Sequence, residues 1–112
     1  MKISAETRGD LVVMSLKGNL LGGPDADAFY NEVKGHLDQG NRKFVLDLSN
    51  VKLMNSSGLG ILIKALKPVR EAGGDFHLAS ITEKIDSLFM ITKLYQVFKS
   101  FPDVEQASRA FE

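Results

Sequence analysis

Two adjacent serines have the setting in this sequence that is most suited to chemistry. Ser56 and Ser57 lie in residues 55–60 (NSSGLG), between an apolar strand-like run and a helical pattern. Backbone N–H groups at the start of a helix lack intrahelical partners, and the helix dipole adds partial positive charge there. A hydroxyl at this place is a good helix cap, and the same N–H groups would stabilise a phosphate attached to it.

Two glycines in the same segment indicate close packing around the first turn of the helix. Gly58 and Gly60 each cost roughly 1 kcal/mol relative to alanine in a helix interior. Because glycine permits close backbone approach, we expect either the strand behind this turn or a partner in front of it to contact the turn. We predict that Ser57 is the cap residue and that the helix begins near it.

Other residues that could carry chemistry are absent or scattered. The sequence contains no cysteine, which excludes thiol catalysis, disulfides and cysteine-type metal sites. His36 and His77 lie far apart without metal-ligand spacing, so we interpret each as a surface or half-buried side chain. No Ser/His/Asp trio has a recognisable arrangement. We therefore predict a protein that is not an enzyme and needs no cofactor or metal.

Composition and charge predict one domain spanning residues 1–112. Of the 112 residues, 44% are hydrophobic, which is enough for a core without disulfide or metal support. Fourteen basic and fourteen acidic residues give zero net charge, which argues against nucleic-acid and membrane-surface partners. No apolar run approaches the roughly 20 residues of a membrane-spanning helix, and the polar N-terminus does not resemble a signal peptide. These features predict a cytoplasmic protein.

Strands alternate with helices along the chain and must position the two serines. The order predicts an α/β fold with a mixed sheet of four to five strands, parallel in its centre, packed with about four helices. We expect a kink or an early helix end at Pro68, because proline removes a backbone hydrogen bond. Hydrophobic periodicity and turn residues predict strands at 2–8, 11–17, 43–48, 75–79 and 95–100, loops at 18–24 and 50–55, and helices at 24–38, 57–72, 82–91 and 103–111.

The whole chain resembles the STAS domain of bacterial anti-sigma factor antagonists. The family's signature around its serine is Asp-Ser-Ser-Gly-Leu-Gly, and residues 55–60 have asparagine in place of the aspartate. The resemblance extends to the preceding strand FVLDLSNV, the G-x-L element at residues 18–20, and the C-terminal run LYQVFKSFPDVEQA. It implies the same α/β fold.

The resemblance also implies a regulatory switch. In this family the first serine of the pair, Ser56 here, accepts phosphate from a kinase that is itself the anti-sigma factor. The unphosphorylated antagonist binds that kinase and frees the sigma factor, and a separate phosphoserine phosphatase restores the complex after phosphorylation. The kinase supplies ATP and Mg²⁺, so the antagonist needs no cofactor. The implied contact residues around Ser56 are Asn55, Ser57, Gly58, Leu59, Leu21 and Met54.

Two departures from the family pattern leave alternatives open. Asn55 and Leu21 stand where many members carry acids, so negative charge near Ser56 is reduced. The alternative is a STAS domain that is not phosphorylated and acts as a scaffold or subunit of a signalling or lipid-transport assembly. A small phosphotransferase is a third possibility, disfavoured by the absence of a catalytic cluster. The leucines at 20, 21 and 53 and Met54 either close the core or face a partner.

Overall fold

The fold is a five-stranded mixed sheet with four α-helices, seen in a computed structural model that describes residues 1–112. The strands are β1 (Lys2–Arg8), β2 (Leu11–Leu20), β3 (Lys43–Met54), β4 (Asp75–Ala79) and β5 (Lys99–Phe101). They lie side by side in chain order, with β1 antiparallel to β2 and the other pairs parallel. The helices are α1 (Pro24–Asp38), α2 (Ser56–Glu71), α3 (Glu83–Ile91) and α4 (Val104–Arg109). The predicted α/β class and mixed sheet are confirmed.

The main core lies between one face of the sheet and helices α1, α2 and α3. Alternating residues of the central strands point to this face, as the period of two in a strand requires. The rings of Phe44 and Phe76 lie 4.9 Å apart between their centroids, on the neighbouring strands β3 and β4. Phe29 of α1 lies 6.4 Å from Phe76, so an aromatic cluster joins this helix to the sheet.

The short helix α4 packs on the opposite face of the sheet, over β3, β4 and β5. Ala107 of α4 is buried together with Val45 of β3. His77 of β4 is only 2% exposed, and its Nδ1 donates a hydrogen bond to the Ala107 carbonyl oxygen at 2.9 Å. Its ring also stacks on Phe111 at 3.7 Å. The prediction of a surface or half-buried His77 is therefore wrong, because β4 is covered on both faces.

Two strands extend beyond their predicted ends. The prediction ended β2 at residue 17 and β3 at residue 48, but the strands continue to Leu20 and Met54. The extensions pair with each other, and Leu20 lies directly opposite Met54 across two register irregularities. Such bulges absorb residues that break the alternating pattern, which is why the sequence predicted loops at 18–24 and 50–55.

Helix α2 passes through Pro68 and ends at Glu71, so of the kink or early end predicted at Pro68, the early end is wrong and the kink stays a prediction. Pro68 and the residue one turn before it, Lys64, are both exposed. Water can therefore bind the Lys64 carbonyl group, which lacks its usual N–H partner. Only the last turn of the helix follows Pro68.

No helix in the structure has both the length and the apolar content required to cross a membrane.

The predicted edge strand at 95–100 is wrong in position. Leu94–Gln96 form a 3₁₀ turn, and the edge strand β5 begins only at Lys99. The Tyr95 hydroxyl donates a hydrogen bond to the Asp86 carboxylate of α3 and so attaches this turn to the helix. Burial, together with this hydrogen bond, raises the pKa of Tyr95 to about 12. Tyr95 therefore remains protonated, and a donor, at neutral pH.

The aromatic cluster provides a test of the core. We expect Phe76→Ala to lower the free energy of unfolding by about 3–5 kcal/mol, because it removes a ring that contacts two others and leaves a cavity. Met90→Ala is the control, since this side chain is 63% exposed, and its expected change is within about 0.5 kcal/mol. Urea unfolding monitored by circular dichroism measures both. Equal losses in the two variants would contradict the described core.

Candidate functional site

The serine segment forms the junction between β3 and α2. Ser56 is the first residue of α2 and is exposed, as is Ser57. The cap residue is Asn55, whose backbone is extended and whose Oδ1 accepts a hydrogen bond from the Gly58 N–H at 2.9 Å. The prediction of Ser57 as the cap is therefore wrong. Asparagine is as effective a cap as serine, and its amide oxygen reaches the third N–H of the helix.

This capping arrangement leaves the serine hydroxyls free of a structural duty at the helix start. The Gly58 N–H is taken by the side chain of Asn55, and the Leu59 N–H donates to the Asn55 carbonyl oxygen at 3.0 Å. The N–H groups of Ser56 and Ser57 precede the first intrahelical hydrogen bond and have no helical acceptor. The first turn thus presents unpaired donors and the positive end of the helix dipole beside an exposed hydroxyl.

Gly58 is required by the strand behind the helix. A Cβ atom added to Gly58 would lie 2.0 Å from the Leu20 carbonyl oxygen, well inside van der Waals contact. The end of β2 therefore passes directly against the first turn of α2. Gly60 differs, because a Cβ atom there would meet no other atom within 4 Å. Close approach of the strand explains Gly58, whereas nothing within the chain requires glycine at position 60.

The loop between β2 and α1 also lies against the first turn of α2. A Cβ atom added to Gly22 would lie 3.0 Å from the Cβ of Ser57. Leu20 pairs with Met54 at the C-terminal ends of the parallel strands β2 and β3. The residues that follow them, Leu21 and Asn55, therefore leave the sheet at the same end. The two positions at which the resemblance predicts acids, 21 and 55, therefore belong to one surface. We name Leu21, Leu53, Asn55, Ser56 and Ser57, all of which are exposed, the serine surface.

The predicted contact residues divide into exposed and supporting side chains. Leu21 is 45% exposed and Leu53 is 55% exposed, so both offer apolar area beside the serines. Leu20 is fully buried, and Met54 is partly buried against the core. Leu59 is only 3% exposed and packs inside. Leu59 and Gly58 thus support the serine surface from the core side of the first turn of α2. Their spacing along the helix from Ser56 could have indicated that they face the core.

The serine surface carries no acidic side chain. The first turn of α2 has no Asp or Glu, and positions 21 and 55 are uncharged. The nearest charged residue on β3 is Lys52, which is exposed. Added negative charge at Ser56 would therefore meet no carboxylate from these segments. No group of three or more His, Asp or Glu side chains in the structure is placed to hold a metal ion.

Comparison with known proteins identifies the family of this fold. The sequence model of the STAS domain matches residues 2–107, which is nearly the whole chain. The chain belongs to the STAS domain family. A Thermotoga neapolitana relative, assigned as an anti-sigma factor antagonist, is 34% identical over 71 residues. That alignment spans 63% of this STAS domain chain and 63% of the relative's length.

Solved structures share the fold closely. A Thermotoga maritima protein, TM1081, also assigned as an anti-sigma factor antagonist, superposes with a TM-score of 0.86 at 27% identity, covering 96% of this chain and 92% of its own. The Bacillus anti-sigma factor antagonist SpoIIAA matches in its unphosphorylated form with a TM-score of 0.73 at 16% identity, covering 97% and 96% of the two chains. Its phosphorylated form matches with a TM-score of 0.74 at 17% identity, covering 97% and 99%. The SpoIIAA likeness is one of fold.

The two glycines of the first turn form a matched pair. We expect Gly58→Ala to lower the free energy of unfolding by about 1–3 kcal/mol, because the added methyl group collides with the Leu20 carbonyl. Gly60→Ala should raise it by up to about 1 kcal/mol, because the space is open and alanine favours the helix. Thermal and urea unfolding measure both. Equal effects of the same sign would disprove the close approach of β2.

The cap provides a second test. We expect Asn55→Ala to lower the free energy of unfolding by about 1 kcal/mol, because the Gly58 N–H loses its acceptor. Asn55→Asp should change it by only a few tenths of a kcal/mol, since aspartate caps equally well and its charge suits the helix dipole. The measurement is urea unfolding of both variants beside the parent chain. An unchanged Asn55→Ala variant would show that Asn55 is not the cap.

Proposed function

We propose that this STAS domain is an anti-sigma factor antagonist whose partner binding is switched off by phosphorylation of Ser56. The observation that supports the proposal is the exposed position of Ser56 at the first turn of α2, with Asn55 serving as the cap. Its hydroxyl is accessible and is not required to hold the helix. The exposed leucines Leu21 and Leu53 provide the apolar area that a protein partner can cover.

The proposed partner is an anti-sigma factor with serine kinase activity. That kinase supplies ATP and Mg²⁺, so this chain needs no bound cofactor and performs no catalysis itself. A separate phosphoserine phosphatase resets the switch. Such a cycle takes place in the cytoplasm, where sigma factors act. The contacts we propose are made by the serine surface, with Met54, Gly58 and Leu59 supporting it from the core side.

Simple electrostatics allows phosphate to act on the complex and leave the fold intact. A phosphoserine carries about −1.5 to −2 charges at neutral pH. At the start of α2 the unpaired N–H groups and the helix dipole stabilise that charge. Covered by a partner, the same charge must lose its hydration, which opposes binding. This chain matches the fold of SpoIIAA in its unphosphorylated form and in its phosphorylated form.

A constitutive scaffold is the second candidate function. Asn55 and Leu21 leave the sheet at the same end of strands β2 and β3. Each stands at a position where many family members carry an acidic residue. A kinase that requires those acids for recognition would not phosphorylate this chain. The domain would then bind its partner permanently, as a subunit of a signalling or lipid-transport assembly.

Phosphorylation by the partner kinase separates the two candidates. The purified domain is incubated with ATP and an anti-sigma factor of the serine kinase type from the same organism, and phosphate is mapped by mass spectrometry. We expect phosphate on Ser56, its loss in Ser56→Ala, and its retention in the matched variant Ser57→Ala. If the kinase phosphorylates a control substrate but leaves this domain without phosphate, the result supports the scaffold.

A charge-mimicking variant tests the effect on binding. We expect Ser56→Asp to weaken partner binding by at least about tenfold, which corresponds to roughly 1.4 kcal/mol, because a charge must be desolvated at the interface. Its melting temperature should stay near that of the parent chain. Ser4→Asp places the same charge on the exposed strand β1 and should leave binding unchanged. Calorimetric titration and thermal unfolding measure the two quantities. Unfolding of Ser56→Asp, or equal weakening in both variants, would contradict the proposal.

A further inference from the structure

The outer edge of strand β1 is open along its whole length. β1 is the first strand in the order of the sheet, so only its inner edge pairs with another strand, which is β2. No backbone hydrogen bond joins residues 2–8 to any segment other than β2. Alternate N–H and C=O groups of β1 therefore point to solvent, and such a row of groups is a template for a further strand.

β1 lacks most of the features that protect an edge strand. Protected edge strands are often very short, bulged or interrupted by proline. The strand at the other edge of the sheet, β5, is only three residues long. β1 has seven residues, contains neither proline nor glycine, and pairs with β2 without a register shift. Its backbone is therefore that of a regular strand to which a second strand can be added.

The charged side chains of β1 are complementary to those of a second copy of β1. Lys2, Ser4 and Glu6 lie on the face of β1 opposite to Ile3, which packs against the main core. In an antiparallel pair of two β1 strands with Ser4 opposite Ser4, Lys2 of each copy lies opposite Glu6 of the other. Opposite charges at directly opposed positions stabilise a strand pair. In this alignment the charges on the edge favour pairing between copies.

Lys2 lacks an acidic neighbour within its own chain. Across the β1–β2 pair it lies directly opposite Lys17, and like charges in this relation are unfavourable. Lys2 takes part in none of the six ion pairs of the structure. Glu6 contacts Arg8 at 3.2 Å, but its side chain is 64% exposed and can meet a second cation. A second copy therefore supplies the carboxylate that Lys2 lacks.

We propose that the chain forms a homodimer by antiparallel pairing of β1 with β1 of a second copy, with Ser4 at the two-fold axis. Backbone hydrogen bonds then join the two five-stranded sheets into one, and Lys2 pairs with Glu6 on each side of the axis. Because β2 runs in opposite directions in the two copies, their serine surfaces lie at opposite ends of the joined sheet. The dimer does not depend on phosphorylation of Ser56 and leaves each serine surface free for a partner.

Analytical ultracentrifugation of charge-reversed variants tests the dimer. The average mass of the parent chain should rise from monomer towards dimer as its concentration is raised. Lys2→Glu and Glu6→Lys should each weaken self-association by at least about tenfold, because each places two like-charge pairs across the axis. An equimolar mixture of the two variants should associate again, since each then meets the opposite charge in the other. Recovery in the mixture also shows that both variants are folded.

Matched controls separate pairing through β1 from general effects of charge. Lys67→Glu makes the same change in charge on the exposed face of α2 and should leave self-association unchanged. A parent chain that stays monomeric at every concentration, equal weakening by Lys2→Glu and Lys67→Glu, or a mixture that remains monomeric would overturn the proposal. Stronger self-association of Lys2→Glu would also overturn it, by indicating an alignment in which residue 2 lies opposite Arg8.

Discussion

The structure of the serine surface depends on the contact between the first turn of α2 and the end of β2. Gly58 lies so close to the Leu20 carbonyl that a side chain could be added there only by displacing the strand. This contact is possible because β2 and β3 continue past their regular ladder to the Leu20–Met54 pair. Because the two strands end at this pair, the residues that follow it, Leu21 and Asn55, lie next to each other at the same end of the sheet. Without it, the loop after β2 would not lie beside the serines.

The division of roles among neighbouring residues explains how one short segment can be both rigidly held and exposed. Asn55 caps the helix, Gly58 allows the strand to approach, and Leu59 anchors the turn in the core. Ser56 is thereby held in a defined place while its hydroxyl remains accessible. A modification there adds charge where helix donors can accommodate it, so its main effect falls on whatever covers the surface. Leu21 and Asn55 leave this surface without a carboxylate at either position.

Much of the fold could be predicted from the sequence because its signals are local. The span of α1, the strand Asp75–Ala79 and the order of elements follow from hydrophobic periodicity and turn residues. The strand extensions could not be predicted, because bulges and pairing between distant segments override the local pattern. The burial of His77 likewise depends on α4 crossing the opposite face of the sheet. At the site, two serines and an asparagine all qualify as caps, and only the backbone geometry selects Asn55.

The most direct test of the central claim is the affinity of the partner for protein that carries phosphate on Ser56. The phosphorylated protein, purified from the kinase reaction, is compared with the unphosphorylated chain by calorimetric titration, and both are melted under the same conditions. The account predicts binding weaker by at least about tenfold, or roughly 1.4 kcal/mol, with a melting temperature that does not fall. Equal affinity of the two forms, or a phosphorylated form that unfolds, would contradict it.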